Sequence, residues 1–258
     1  MANSRLYFFP LTILSAIIIS GCASGPGALQ QNRKFFSTYK NFPPAKARQD
    51  YLRNLKERYP VSNDEHTLQR IKNIVVRLNK YALGNSANEW NVTILKDKRQ
   101  FACIPAPHEI VIFTGIFQHT AGNSQMSALI AHLMAHQQAL HGNDRYRKVV
   151  TAAEAESKMT KSELQRMAVA AYTGTYPASD DVLPFSEAHE KLADRLSVLY
   201  MTRAGYSPDA ALKFWSSFEE AQGDKSTPLF VKIHPIDKNR IANLKKIIKR
   251  TKEAAAKR

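Results

Sequence analysis

His132-Leu133-Met134-Ala135-His136 sets two histidines four residues apart, so on a helix both imidazoles leave the same face, one turn from each other. That spacing suits a divalent metal ion. In the HExxH pattern, the residue after the first histidine is a glutamate that takes a proton from metal-bound water. Here that residue is Leu133: both ligand positions are filled, and the base is missing. An HxxxH pair alone is more often a solvated or hydrogen-bonded pair than a metal site. The rest of the chain has to decide.

Asn123 or Ser124 begins the helix that carries the pair, and Gly142 lies where a left-handed helix stop would use glycine. Upstream, Asn63 or Asp64 caps a helix whose apolar positions Leu68, Ile71, Val75 and Leu78 recur at helical spacing. Three runs rich in β-branched or aromatic residues follow, Trp90 to Leu95, Phe101 to Ile104 and Ile110 to Phe113, which predict a small sheet. Downstream come a polar helix from about Thr151 to Tyr172 and a loop around Tyr176 to Pro184. A helix from Ser186 to Ala204 then stops at Gly205. Ser207-Pro208 starts a helical segment through Ala221, and the last helix begins after His234-Pro235.

Glu190-Lys191-Leu192-Ala193-Asp194 lies beyond the histidine pair. On a helix Glu190, Asp194, Ser197 and Met201 share one face, while Leu192, Leu196 and Leu199 form another. One carboxylate reaches toward a metal held by the histidines, and the other is placed to hydrogen-bond a ligating imidazole. Two histidines and one glutamate leave a position open on zinc, as catalytic rather than structural sites do.

The first 21 residues read as an export leader: Arg5, a mainly apolar stretch from Leu6 to Ile19, then Ser20-Gly21 directly before Cys22. Ile19-Ser20-Gly21-Cys22 resembles the lipobox of bacterial lipoproteins, in which the cysteine carries the lipid. Ala23 in place of aspartate, by resemblance to Gram-negative sorting signals, implies the outer membrane facing the periplasm. The expected division is a leader over 1–21, a lipid-anchored tether and arm over 22–60 and one domain over 61–258. With Cys22 lipidated, Cys103 is the only other thiol, so no intramolecular disulfide is expected and the fold must rest on its core. The net charge of +15 would suit nucleic acid in a cytosolic protein, but export removes that partner. Anionic headgroups or acidic proteins remain as counterparts, against the plainer reading of a solvated basic surface.

Taken together, these motifs resemble the gluzincin zinc metallopeptidases of the HtpX and CAAX-prenyl-protease type, especially their small periplasmic lipoprotein members. The likeness runs from about Asn63 to Leu244. It rests on Phe101 to Pro105 with Ile110 to Ile116, Ala131 to Gly142, Glu190 to Asp194, Ala204 to Pro208 with Phe214-Trp215, and His234-Pro235 with Arg240-Ile241. The resemblance implies a mostly helical α+β, zincin-like fold with a small sheet beside the active-site helix. It also implies one zinc ion on His132, His136 and Glu190, with Asp194 behind a ligand. His234 and Arg240 would lie in a segment that closes over the site, offering transition-state contacts. For His234 a plain helix-start role stands beside that reading, and for Arg240 a salt bridge within the last helix. His108 and His189 match no ligand of the family, and His141 reads as a helix-end residue.

Three departures bear on activity. Leu133 replaces the glutamate, Ala106-Pro107-His108-Glu109 replaces a glycine pair on the edge strand, and Glu187 stands where an arginine is usual. Leu133 either continues an apolar stripe with Met126, Leu129, Ile130 and Leu140 or walls the cleft beside the metal. Glu187 and Glu109 are the candidates for a substitute base. The expected function is a lipid-anchored, zinc-binding pseudoprotease of the envelope that binds unfolded polypeptide or a partner protein. The alternatives are an active endopeptidase for misfolded envelope proteins and a metal-free structural lipoprotein.

Overall fold

A computed structural model describes residue 43 and residues 45–82, 89–156, 161–174, 182–219 and 227–257. The expected leader, Cys22 and the head of the tether lie outside the described residues, as does most of the Tyr176 to Pro184 loop.

Helix α1 (Ala45–Arg58) buries Ala47, Tyr51 and Leu55 along one stripe. Helix α2 (Glu65–Ala82) starts at Asp64, whose Oδ1 accepts the Thr67 N–H at 2.9 Å, and buries Ile71, Ile74, Val75 and Leu78. Strands β1 (Asn91–Leu95), β2 (Ala102–Ala106) and β3 (Glu109–Phe113) form a mixed sheet in the order β1-β3-β2, with β1 parallel and β2 antiparallel to β3. The pleat sends Ile110 and Ile112 into the main core under α2. It sends Val111 and Phe113 into a second cluster with Tyr51 and Leu55 of α1. Both faces of β3 are therefore covered, which is why its sequence is a continuous apolar run rather than an alternation.

A 3-10 turn (Thr114–His119) leads to the central helix α3 (Asn123–Gln138), in which every residue from Met126 to His136 is buried. It packs on α6 (Glu187–Arg203), α2 and α7 (Asp209–Ser216). Around it lie α4 (His141–Glu156), α5 (Lys161–Thr173), α8 (Leu229–Ile233) and α9 (Lys238–Ala256). The Ser186 hydroxyl caps α6, accepting from the His189 N–H, and Asp237 caps α9. The architecture is α+β, mostly helical, with the sheet beside α3.

Three details differ from the sequence reading. The left-handed residue after α3 is Leu140 (φ 57°), not Gly142, which lies in the first turn of α4. Glycine is needed there for closeness: a Cβ at 142 would stand 3.0 Å from the Tyr172 carbonyl oxygen of α5. The helix expected over Thr151 to Tyr172 is instead α4 and α5, separated by residues outside the description. The segment expected to run through Ala221 is α-helical over Asp209–Ser216, and Ala221 itself lies outside the described residues. Gly205 (φ 74°) does end α6 in the left-handed region. Among the described residues no helix is long and apolar enough to cross a membrane.

Candidate metal centre

Helix α6 crosses α3 with its carboxylate face inward: Glu190, Asp194, Ser197 and Met201 are buried, while Leu192 is 42% exposed. Putting the polar face of a helix into a core costs several kcal/mol unless its charges are matched. They are matched by His132 and His136 from α3 and by His234 and Arg240 from the α8–α9 junction, all of them buried.

Four side chains, His132, His136, Glu190 and His234, each offer one ligand atom to a common point, and these atoms lie within 4.8 Å of one another. His132 Nε2 is 3.0 Å from His136 Nε2, 3.2 Å from His234 Nδ1 and 3.2 Å from Glu190 Oε2. Glu190 Oε1 is 2.9 Å from His234 Nδ1 and 3.4 Å from His136 Nε2. A tetrahedral zinc ion with bonds of about 2.0–2.1 Å holds its donors about 3.3–3.4 Å apart. Several of the observed spacings approach that value, drawing on both Glu190 oxygens, and the set as a whole spans up to 4.8 Å. His234 Nδ1 joins the three expected ligands as a fourth candidate donor.

The electrostatics suit a cation. Burial works to raise the Glu190 carboxyl, but Arg240 and then His234, His136 and His132 hold it well below the usual carboxylate range. Burial pushes His136 well below the ordinary imidazole range and His234 down to about 4, so both keep a lone pair at neutral pH. Burial also opposes charge on His132, yet Glu190 and Asp194 raise it. Glu190 Oε2 and His132 Nδ1 are buried without a hydrogen bond of good geometry, although Glu190 Oε2 has Arg240 Nη2 at 2.8 Å and His132 Nδ1 has Asp194 Oδ1 at 3.3 Å. Buried anions and lone pairs converging without enough donors are what a bound metal satisfies. The donor set fits zinc.

The other singled-out residues fall as follows. Asp194 faces His132 Nδ1, behind the converging atoms. Arg240 bonds across to Asp194 and Glu190 on α6 rather than within its own helix. Leu133 belongs to the core cluster and also walls a small cavity beside His136 and His234. Glu187 is exposed in the first turn of α6, and Glu109 accepts from Asn91 Nδ2 at 2.7 Å; neither lines that cavity. Pro107 and His108 form the tight turn between β2 and β3, His108 being left-handed (φ 64°) with its ring edge-on to Trp90. His141 is not merely a helix-end residue, since its Nδ1 lies 3.0 Å from His136 Nδ1. Sequence reasoning passed over Phe185, whose tilted ring lies 3.8 Å from that of His136, and the contact of Trp215 with His132 at 4.8 Å. The aromatic run Phe214-Trp215 was a signal for the second; nothing in the sequence ties Phe185 to the site.

The family model described as peptidase family M48 matches residues 65–248, an interval that holds all four converging residues. The chain is 27% identical over 163 residues to the mitochondrial metalloendopeptidase OMA1 of Schizosaccharomyces pombe, covering 62% of this chain and 47% of that protein. It is 21% identical over 201 residues to the beta-barrel assembly-enhancing protease of Escherichia coli, covering 75% of this chain and 41% of that one. The putative beta-barrel assembly-enhancing protease of Vibrio cholerae is 23% identical over the same span, at 41% of its length. The chain thus spans less than half the length of these relatives. With the family model covering well over half of the sequence, this chain belongs to peptidase family M48.

Proposed function

We propose that this chain is a lipid-anchored, zinc-binding pseudoprotease of the cell envelope that holds unfolded polypeptide or a partner protein without cutting it. The observation that carries the reading is Leu133. Its side chain is 4% exposed and lines the cavity next to His136 and His234, and no carboxylate lines that cavity. The cavity holds about 30 Å³, room for one water-sized group. Zinc held by His132, His136 and Glu190 would supply Lewis acidity and lower the pKa of a bound water. Leu133 has neither a lone pair nor a proton to contribute beside it. A positioned base is worth roughly 100- to 10,000-fold, about 3 to 5.5 kcal/mol.

His234 adds to the reading, because a fourth protein donor competes with water or a substrate carbonyl for the last place on a tetrahedral ion. The placement in the envelope draws on the leader and Cys22, and on relatives named for beta-barrel assembly and for mitochondrial proteolysis. The outer membrane facing the periplasm is the proposed location, and one zinc ion the proposed cofactor.

The intact donor set favours one competitor, an active zinc endopeptidase for misfolded envelope proteins. The test is cleavage of an unfolded protein by the full chain in detergent, with and without chelator, beside Leu133→Glu. No cleavage by the unmodified chain and chelator-sensitive cleavage by Leu133→Glu is the expected result. Chelator-sensitive cleavage by the unmodified chain would overturn the reading. Metal analysis of the same preparation separates both from a metal-free structural lipoprotein.

A further inference from the structure

A histidine that gives its Nε2 lone pair to a metal carries its proton on Nδ1, and in a dry site that proton needs an acceptor. For His132 the group facing Nδ1 is the Asp194 carboxylate, at 3.3 Å. For His136 it is another imidazole, His141, Nδ1 to Nδ1 at 3.0 Å, with both rings buried. This contact is built by the backbone. On a continuous helix residue 141 would lie about 140° around the axis from residue 136. The left-handed turn at Leu140 ends α3 and swings the first residue of α4 back against it. His189 of α6 then stacks on the far ring, centroids 4.3 Å apart and 18° from parallel.

We propose that His141 is the outer-sphere partner of His136, its Nδ1 lone pair accepting the hydrogen bond from the His136 Nδ1–H while its own proton stays on Nε2, and so fixing the ring for metal binding. The proposal deepens the zinc reading of the site and rests on it. A neutral acceptor is what the charge balance there favours. Glu190 and Asp194 already share one buried guanidinium, Arg240, and a third carboxylate behind His136 would add an unmatched anion. His141 is a positioning residue: its effect reaches the metal only through His136.

The test uses the full chain in detergent and reads zinc affinity by competition with a chromophoric chelator, and ligand geometry by cobalt(II) absorption. His141→Leu removes the acceptor, and His141→Asn keeps an oxygen near the Nδ1 position. His141→Leu is expected to weaken zinc by about 10- to 100-fold and to shift the cobalt spectrum, and His141→Asn to recover most of both. Equal losses in the two variants, or none in His141→Leu, would overturn the proposal. Nitrogen-15 shifts of the zinc-loaded unmodified chain give a readout free of any folding defect. They should show His141 as the Nε2–H tautomer; the Nδ1–H form would overturn the assignment. An unmodified chain that takes up no metal would overturn the zinc reading itself, and that outcome appears before any variant is compared.

Discussion

Arg240 grips Asp194 with two bonds, Nε to Oδ2 at 2.9 Å and Nη2 to Oδ1 at 2.8 Å, joining the last helix to α6 through a buried pair 46 residues apart. The same Nη2 lies 2.8 Å from Glu190 Oε2, and the guanidinium is 3.8 Å over the Trp215 ring. One cation thus serves two buried carboxylates, and its planar fork is suited to a bidentate carboxylate. The arrangement lacks one positive charge, which the metal would supply.

Arg240→Met should therefore cost about 3–5 kcal/mol by leaving Asp194 and Glu190 buried and unmatched, a fall of roughly 10 °C in melting temperature. Zinc should narrow the gap between variant and unmodified chain, since it replaces part of the missing charge. Thermal unfolding of metal-free and zinc-loaded protein checks this, and equal melting temperatures would contradict it.

His234→Ala should open the fourth position on the metal. Cobalt(II) in the variant is expected to change its absorption when a hydroxamate is added, whereas cobalt in the unmodified chain stays indifferent. A response in the unmodified chain would mean that His234 does not hold that position in solution.

Combining His234→Ala with Leu133→Glu should yield more chelator-sensitive cleavage than Leu133→Glu alone. The single change supplies the base and the double change also supplies a place for water. Rates on an unfolded substrate decide it, and a double variant no faster than the single would show that His234 does not obstruct the metal.

His119 is held between Ser217 Oγ on Nδ1 and Gln100 Oε1 on Nε2, both at 2.8 Å, and burial lowers its pKa to about 4. The unfolded chain binds this proton below about pH 6.5 while the folded chain resists it until near pH 4, so the stability it lends is lost as pH falls through that window. Between pH 7 and 4.5 the unmodified chain should lose about 1–2 kcal/mol more than His119→Gln, after allowance for solvent. Parallel melting profiles across that range would rule the effect out.

Gly142→Ala should destabilise by about 1–3 kcal/mol, because the added methyl meets the Tyr172 carbonyl at 3.0 Å where α4 and α5 close together. Chemical denaturation of the zinc-loaded protein measures it. An unchanged midpoint would show that the two helices yield without cost.

Helical periodicity reached most of the helices, and β-branched or aromatic composition all three strands, because both are local properties of the chain. The HxxxH pair, ExxxD and Leu133 were legible for the same reason: each is a fixed offset on a helix face. The pairing of β1 with β3 across the intervening β2 was not legible, since strand partnership is a long-range choice. Nor was the break at Leu140, where a residue type that normally avoids positive φ takes the left-handed turn that glycine was expected to supply.

By itself, then, the sequence determined that the chain carries two metal-spaced histidines, a carboxylate pair and no base between the ligands. Tertiary structure alone decided that His234 converges with the histidine pair and Glu190, that Arg240 serves α6 rather than its own helix, and that His141 backs His136. Each of these contacts joins separate segments of the chain, two of them across 102 and 46 residues. Burial forces charges and lone pairs from distant segments to find one another inside the core, and no local spacing records which will meet.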